Sequence, residues 1–388
     1  MRRIYLDNNA STPVLPEVLA AMQPYFSESF GNASSIHQNG QEARFAVENA
    51  RENVARLLGC GVSEIVFTSG GTEADNLAMS GTLSPGDHVI TTAIEHHAVL
   101  HACRHLVSLG CQLTEIPADG DGLVAPDDIR RALRPNTRLI SVMFANNETG
   151  VLQPVAEIGK IARDAGVHFH TDAVQVAGKV PVDVSYINCD LLSISGHKMH
   201  APQGVGALYV RKGTRLRAMM LGGAHERSRR AGTENVPGIV GLGKAAESAR
   251  TGLTRGDDST MRALRDRLEQ GILHSVEDCR INGSPAVRTP NTSNIQFDSV
   301  DGESFVISLD LKGIAVSSGA ACSSGATEPS HVLLAMGLTP AQARSSIRFS
   351  LGKQNTADDV DRTLATVIGT VARLRQMSPN FSSVAVRS

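Results

Sequence analysis

The chain of 388 residues carries 37 Lys and Arg against 39 Asp and Glu, a formal net charge of −2, with 4% aromatics and no tryptophan. Near-neutral charge gives no electrostatic reason to expect nucleic acid or a membrane surface as partner, and the length calls for two domains or one large α/β domain with an appendage. No apolar run is long enough for a signal peptide or a membrane span, so a cytoplasmic location is expected, and Cys60, Cys103, Cys111, Cys189, Cys279 and Cys322, without a CxxC pair, are expected to be thiols.

Along the chain, Ala43, Ala46, Val47, Ala50, Val54, Leu57 and Leu58 recur at steps of three and four and predict a helix over 42–58, ended by Gly59. Ile65-Val66-Phe67-Thr68 reads as a buried strand. Strands near 88–92 and 112–116 flank a helix near 97–109. A helix near 127–133, a strand at 139–144, a helix over 154–165 started by Pro154, and strands at 167–171, 191–195 and 206–210 follow. This alternation predicts a mainly parallel sheet covered on both faces. After about residue 250 the texture changes. A charged helix over 257–276 leads to short strands at 292–297, 314–317 and 346–350. A last helix over 357–375 has Thr356 as its N-cap. A smaller C-terminal domain is expected there.

Four polar clusters fall where an open parallel sheet binds ligands, beyond the carboxyl ends of its strands. Thr68-Ser69-Gly70-Gly71-Thr72-Glu73-Ala74-Asp75-Asn76 follows a strand and opens a helix; it suits a phosphate or, equally, an ordinary glycine turn with Thr72 as cap. Asp172 stands past an apolar strand with Gln175 three residues on, a carboxylate for a protonated ring nitrogen or a helix cap. Lys198 ends Ser195-Gly196-His197-Lys198 beside a buried strand, where partial desolvation would free a nucleophilic amine for a Schiff base; the plainer alternative is a lysine reaching solvent. Cys322, in Ser317-Ser318-Gly319-Ala320-Ala321-Cys322-Ser323-Ser324-Gly325, has almost nothing to pack against and reads as an exposed nucleophile; the other five cysteines fit helix or strand patterns. His97, His101 and His105 share one helix face. Without HExxH or a carboxylate on the stripe, it is read as packed or solvated and no metal is expected; His96, one step off, could face a cofactor.

Taken in order, these clusters resemble the NifS/IscS family of pyridoxal-phosphate (PLP) dependent cysteine desulfurases, from Tyr5-Leu6-Asp7-Asn8-Asn9-Ala10 to Leu374. The most specific pieces are Ser195–Lys198, Arg229-Arg230 with Gly232-Thr233-Glu234-Asn235, and Ala321–Gly325; Glu328–His331 and Ser345–Ser350 add to them. Asn8-Asn9-Ala10, Ala145–Gly150 and Arg229–Asn235 look closer to the nitrogen-fixation NifS branch. The resemblance implies PLP-transferase fold type I, like aspartate aminotransferase. A large domain over 12–253 with a mostly parallel seven-stranded sheet would stand beside a small α+β domain from 1–11 and 254–388. It implies that Lys198 carries PLP, Asp172 holds the ring nitrogen protonated, Gln175 bonds the ring oxygen, and His96 stacks and assists proton transfer. Gly71, Thr72, Ser195 and His197 would hold the phosphate, Thr233 would reach that of a neighbouring subunit in a homodimer, and Asn147 and Arg348 would take the substrate carboxylate. L-cysteine would give L-alanine and a Cys322 persulfide, destined for an iron–sulfur scaffold. Ala320 stands where many relatives have serine, and residues 379–388 are expected to lack the extended tail of IscS-type members. The competing readings are a selenocysteine lyase-like PLP enzyme and a non-enzymatic metal or iron–sulfur carrier.

Overall fold

The computed structural model describes residues 2–318 and 328–377. Among them run thirteen strands: β1 (Ile4–Tyr5), β2 (Ile65–Thr68), β3 (His88–Thr92), β4 (Gln112–Ile116), β5 (Thr137–Ser141), β6 (His168–Asp172), β7 (Leu191–Ser195), β8 (Gly206–Val210), β9 (Cys279–Ile281), β10 (Thr292–Phe297), β11 (Ile314–Ala315), β12 (Ser317–Ser318) and β13 (Ser346–Ser350). Seven of them form one sheet in the order β2-β8-β7-β6-β5-β3-β4. Neighbours from β7 to β4 are parallel, and β8 runs antiparallel to both β7 and β2. This is the mainly parallel α/β sheet that the strand–helix alternation predicts, with the seven strands that the resemblance implies.

Side-chain alternation along these strands sorts the core into two layers. Phe67, Ile90, Ile140, Leu192 and Ala207 pack with helices Gln38–Leu58, Val155–Asp164 and Val236–Arg255. Their chain neighbours Val66, Val89, Leu139, Leu191 and Leu208 pack with Gly71–Thr82 and His97–Ser108. A sheet buried on both faces leaves its strand ends as the place where polar residues can meet a ligand.

A second sheet, β12-β13-β10-β9, is antiparallel throughout. Its core gathers Leu268, Ile272, Phe305, Leu309, Val360 and Val367, with Phe297 stacked on Phe305 at 5.1 Å. The N-terminal β1 pairs in parallel with β11, and Asp7 bridges to Ser350. The first residues of the chain therefore lie against its last strands.

Most expected elements lie within a few residues of their observed bounds, and the strands at 292–297 and 346–350 coincide. Helix Val236–Arg255 goes unpredicted because Gly238, Gly241, Gly243 and Gly252 read as loop. Its glycines serve packing: a Cβ on Gly243 would meet Ala50 Cα at 2.4 Å, so only glycine lets this helix lie against Gln38–Leu58. Of the five cysteines expected inside elements, Cys60, Cys111 and Cys189 lie instead in the turns that lead into strands. Burial raises all five thiols, Cys103 to about 12, which makes them poor nucleophiles. Among the described residues no helix is long and apolar enough to cross a membrane.

Glu226, Arg227 and Ser228 stand at φ of 47, 57 and 61°, a costly run of left-handed backbone. It is held by Arg51, which donates to both Glu226 oxygens at 2.7 and 2.8 Å, while Phe67 N–H donates to Oε2 at 2.9 Å and the guanidinium lies 4.6 Å over the Phe67 ring. Both partners are buried, so Glu226→Ala strands a charge. We expect a loss of about 3–5 kcal/mol, read as a lower urea midpoint with an unchanged slope.

Candidate active site

A cavity of about 270 Å³ opens beyond the carboxyl ends of β5, β6 and β7. Ten residues singled out in the sequence line it: Gly71, Thr72, His96, Asn147, Asp172, Gln175, Ser195, His197, Lys198 and Arg348. Asn9, Ala10, Asp75, Met143 and Val174 complete the wall. Thr233 is exposed and does not line it, and Cys322 lies outside the described residues.

At one end, β2 turns at Gly70 (φ +155°) into helix Gly71–Thr82. Gly70 rather than Thr72 holds the cap position, and no side chain caps the helix. Its first N–H groups have no carbonyl behind them in the helix, and the dipole adds positive potential. Gly71 sits so close to the wall that a Cβ would meet Val174 Cγ2 at 2.8 Å. Ser195 and His197 stand beside this turn, and Ser11 Oγ is 3.3 Å from His197 Nδ1. Burial, then Lys198 and Lys179, lower His197 to about 4, so the ring is neutral at physiological pH. Glu73 ties the turn to Arg230 at 2.8 Å.

At the other end, Asp172 ends β6 fully inside the protein. Its Oδ1 accepts from Val174 N–H at 2.8 Å, and burial raises the carboxyl to about 6. Lys198 follows β7 on a turn of 3-10 helix, where its Nζ donates to the carbonyls of Asn9 (2.5 Å) and Ala10 (2.8 Å). It therefore turns inward, against the alternative of a lysine reaching solvent. His96 caps helix His97–Ser108 by accepting from Ala98 N–H at 3.1 Å; burial first, then Lys198 and its histidine neighbours, lower it to about 4. A neutral imidazole thus lines the cavity. Arg348, from β13, donates to Asn147 O at 3.0 Å and Asp7 Oδ1 at 2.8 Å, and its Nε, buried, has no partner among the described residues.

Several polar groups here escaped sequence reasoning. Asn9 carried signal only as part of a motif, yet it touches three strand ends. Asp75 is 1% exposed, its Oδ1 has no hydrogen bond among the described residues, and it lies 3.6 Å from His170 Nε2. Its place four residues into a glycine-led helix was the available clue. The histidine stripe stacks: His97 lies between His101 (4.9 Å) and His331 (4.6 Å), while His101 and His105 are exposed.

The chain matches the Aminotransferase class-V model over residues 4–363. It belongs to that family. Among curated relatives, a cysteine desulfurase IscS of Methanosarcina thermophila is 50% identical over 97% of this chain and 94% of its own, and a cysteine desulfurase of Trichormus azollae is 50% identical over 98% and 95%. A solved NifS-like protein superposes with a TM-score of 0.89 at 36% identity, covering 96% of this chain and 100% of its own. SspA, solved in complex with cysteine, gives 0.80 at 37% identity, covering 91% and 100%. The family's cofactor is PLP, and the cavity fits it. The glycine cradle and bare helix start suit a phosphate, the buried Asp172 a protonated pyridine nitrogen, and the inward Lys198 amine an aldehyde.

Beside Asn147, the Glu148 carboxyl is buried, accepts from Ser330 Oγ, and is raised by burial to about 7 from an ordinary 4.5. A raised folded pKa contributes stability that is fully present below the unfolded value and is lost as pH climbs through the folded one. Glu148→Gln should therefore gain on the parent as pH rises from about 4.5 to 7 and then level, by on the order of 1–3 kcal/mol. Thermal melts at pH 5 and pH 8 check this; a difference independent of pH contradicts it.

Proposed function

We propose that this chain is a cysteine desulfurase: it converts L-cysteine to L-alanine and leaves the sulfur as a persulfide on Cys322. The observation that carries the reading is one cavity in which an inward lysine amine, a buried aspartate, a glycine-cradled helix start and a buried arginine meet. The names of relatives about half identical over nearly the whole chain support it.

Bound PLP supplies an electron sink for negative charge at the substrate's Cα. Arg348 and Asn147 receive the substrate carboxylate. Arg348 is already oriented by Asp7, and its buried Nε is left to donate. Lys198 would hold PLP, and its Nζ, turned inward, is placed to move the Cα proton. His96, neutral above about pH 4, accepts or returns a proton beside it. Asp172 keeps the ring nitrogen protonated, Gln175 meets the ring oxygen, and Gly71, Thr72, Ser195 and His197 hold the phosphate. The Cys322 thiolate takes the substrate sulfur. An S–S bond forms, the C–S bond breaks with its electron pair left on Cβ, and protonation of Cβ together with return of a proton to Cα completes alanine.

We also propose a homodimer in which Thr233 reaches the neighbour's phosphate site. Phe26, Phe30, Ile36, Phe45 and Leu221 are all more than half exposed, an unusual apolar load, and Ser34 touches His225, which joins these two segments. The division into domains 12–253 and 1–11 with 254–388, a cytoplasmic location, and delivery of the sulfur to an iron–sulfur scaffold belong to the same reading. Delivery to nitrogenase-type clusters rests on the NifS-like motifs.

Cys322→Ser should keep bound PLP and its colour but form alanine from cysteine at least a hundredfold more slowly. Alanine at the parent rate would rule out the persulfide route. Arg348→Lys should raise KM for cysteine about tenfold or more while PLP stays bound, because a point charge replaces a planar fork. An unchanged KM would remove Arg348 from substrate binding.

A further inference from the structure

Lys179 is a partly buried lysine that the proposed reaction does not use. It does not line the main cavity. With Lys198, Asn8 and His200 it lines a neighbouring space of about 30 Å³, room for little more than one water. Its Nζ donates to the Gln175 backbone carbonyl at 3.2 Å and to Gln175 Oε1 at 3.0 Å. Gln175 Nε2 donates in turn to Asn9 O at 3.0 Å.

These contacts decide which way the carboxamide faces. An ammonium only donates, so the amide oxygen must turn to Lys179. A backbone carbonyl only accepts, so the amide nitrogen must turn to Asn9. With both demands met, one N–H of Gln175 is left, and Gln175 lines the cavity. We infer that Lys179 is a positioning residue that locks Gln175 as a hydrogen-bond donor toward an anionic oxygen in the cavity, the ring oxygen of PLP. This rests on the PLP reading above.

The lock is held at an electrostatic cost. Burial, then Lys198 and Arg348, bring Lys179 down to about 7, and its charge is felt by His197 and His200. No carboxylate is paired with Lys179 among the described residues, so its partners are the two oxygens of Gln175.

The test uses the PLP-loaded enzyme and the absorbance of the bound cofactor titrated with pH. A donor on the ring oxygen stabilises its anion and lowers the titration midpoint. Lys179→Met leaves the carboxamide held by Asn9 O alone and so less firmly oriented; the midpoint should rise by about one pH unit and PLP should dissociate several-fold faster. Lys179→Arg, still a donor, should restore most of both. Removing a charge would also raise the midpoint, so the decisive arm is Lys179→Met in a Gln175→Leu background. A further shift below about 0.3 unit there supports action through Gln175, and a full shift overturns it. Should Lys179→Met not fold, Gln175→Glu reaches the same question, because a carboxylate accepts from Lys179 but offers the ring no N–H. Its midpoint must rise, and an unmoved midpoint overturns the proposal. If the parent enzyme shows no titrating cofactor band at all, the PLP reading itself fails.

Discussion

Asn9 holds the site together. Its N–H donates to Ser350 Oγ at 2.9 Å, and its carbonyl accepts from Gln175 Nε2 at 3.0 Å and Lys198 Nζ at 2.5 Å. Its amide nitrogen donates to Asn147 O and Thr292 Oγ1, and its amide oxygen accepts from Asn291 Nδ2. The residue is 2% exposed, so each of these bonds replaces water that is absent, and losing one strands its partner. Asn147, Gln175 and Lys198 follow β5, β6 and β7; Asn291, Thr292 and Ser350 belong to or adjoin β10 and β13. One side chain and its peptide thus fix the strand ends of the large sheet against the small one, and the cavity is what remains between them.

The polar wall sets the electrostatics. Burial pushes Asp172 up to about 6 and Glu95 up to about 8, and raises Asp75 as well, with Asp172 and Asp75 opposing each other's ionisation. On the proposed reading, a cationic ring nitrogen against Asp172 would join Lys198 in favouring its carboxylate. The histidines are pushed the other way: His96 and His197 are neutral, so the cations turned toward the cavity are Lys198 and Arg348. On the proposed reading, a doubly negative phosphate, an anionic ring oxygen and a substrate carboxylate would each meet a different donor set.

Much of this was legible in the chain. Strands such as 65–68 and 206–210 are short, mostly apolar runs without polar alternation, the pattern expected of a sheet covered on both faces. The polar clusters immediately after them marked Gly71, Asp172 and Lys198 without reference to any relative. What was hidden has physical causes. Helix Val236–Arg255 looked like loop because its glycines answer to a neighbouring helix, a long-range contact that local propensity does not register. Asn9 was hidden because an asparagine before a turn is ordinary, and its importance comes from partners up to 341 residues away. Thr72 looked like a cap because threonine is a common capping residue, but the cap falls two residues earlier, at Gly70, whose φ of +155° favours glycine.

On the proposed reading, this wall selects one amine. Two lysines, Lys198 and Lys179, line the same small space, and either amine has the chemistry to bind an aldehyde. Borohydride reduction of the PLP-loaded protein followed by peptide mass mapping distinguishes them. The account predicts the reduced cofactor on Lys198 alone; label on Lys179, or shared between the two, would contradict it.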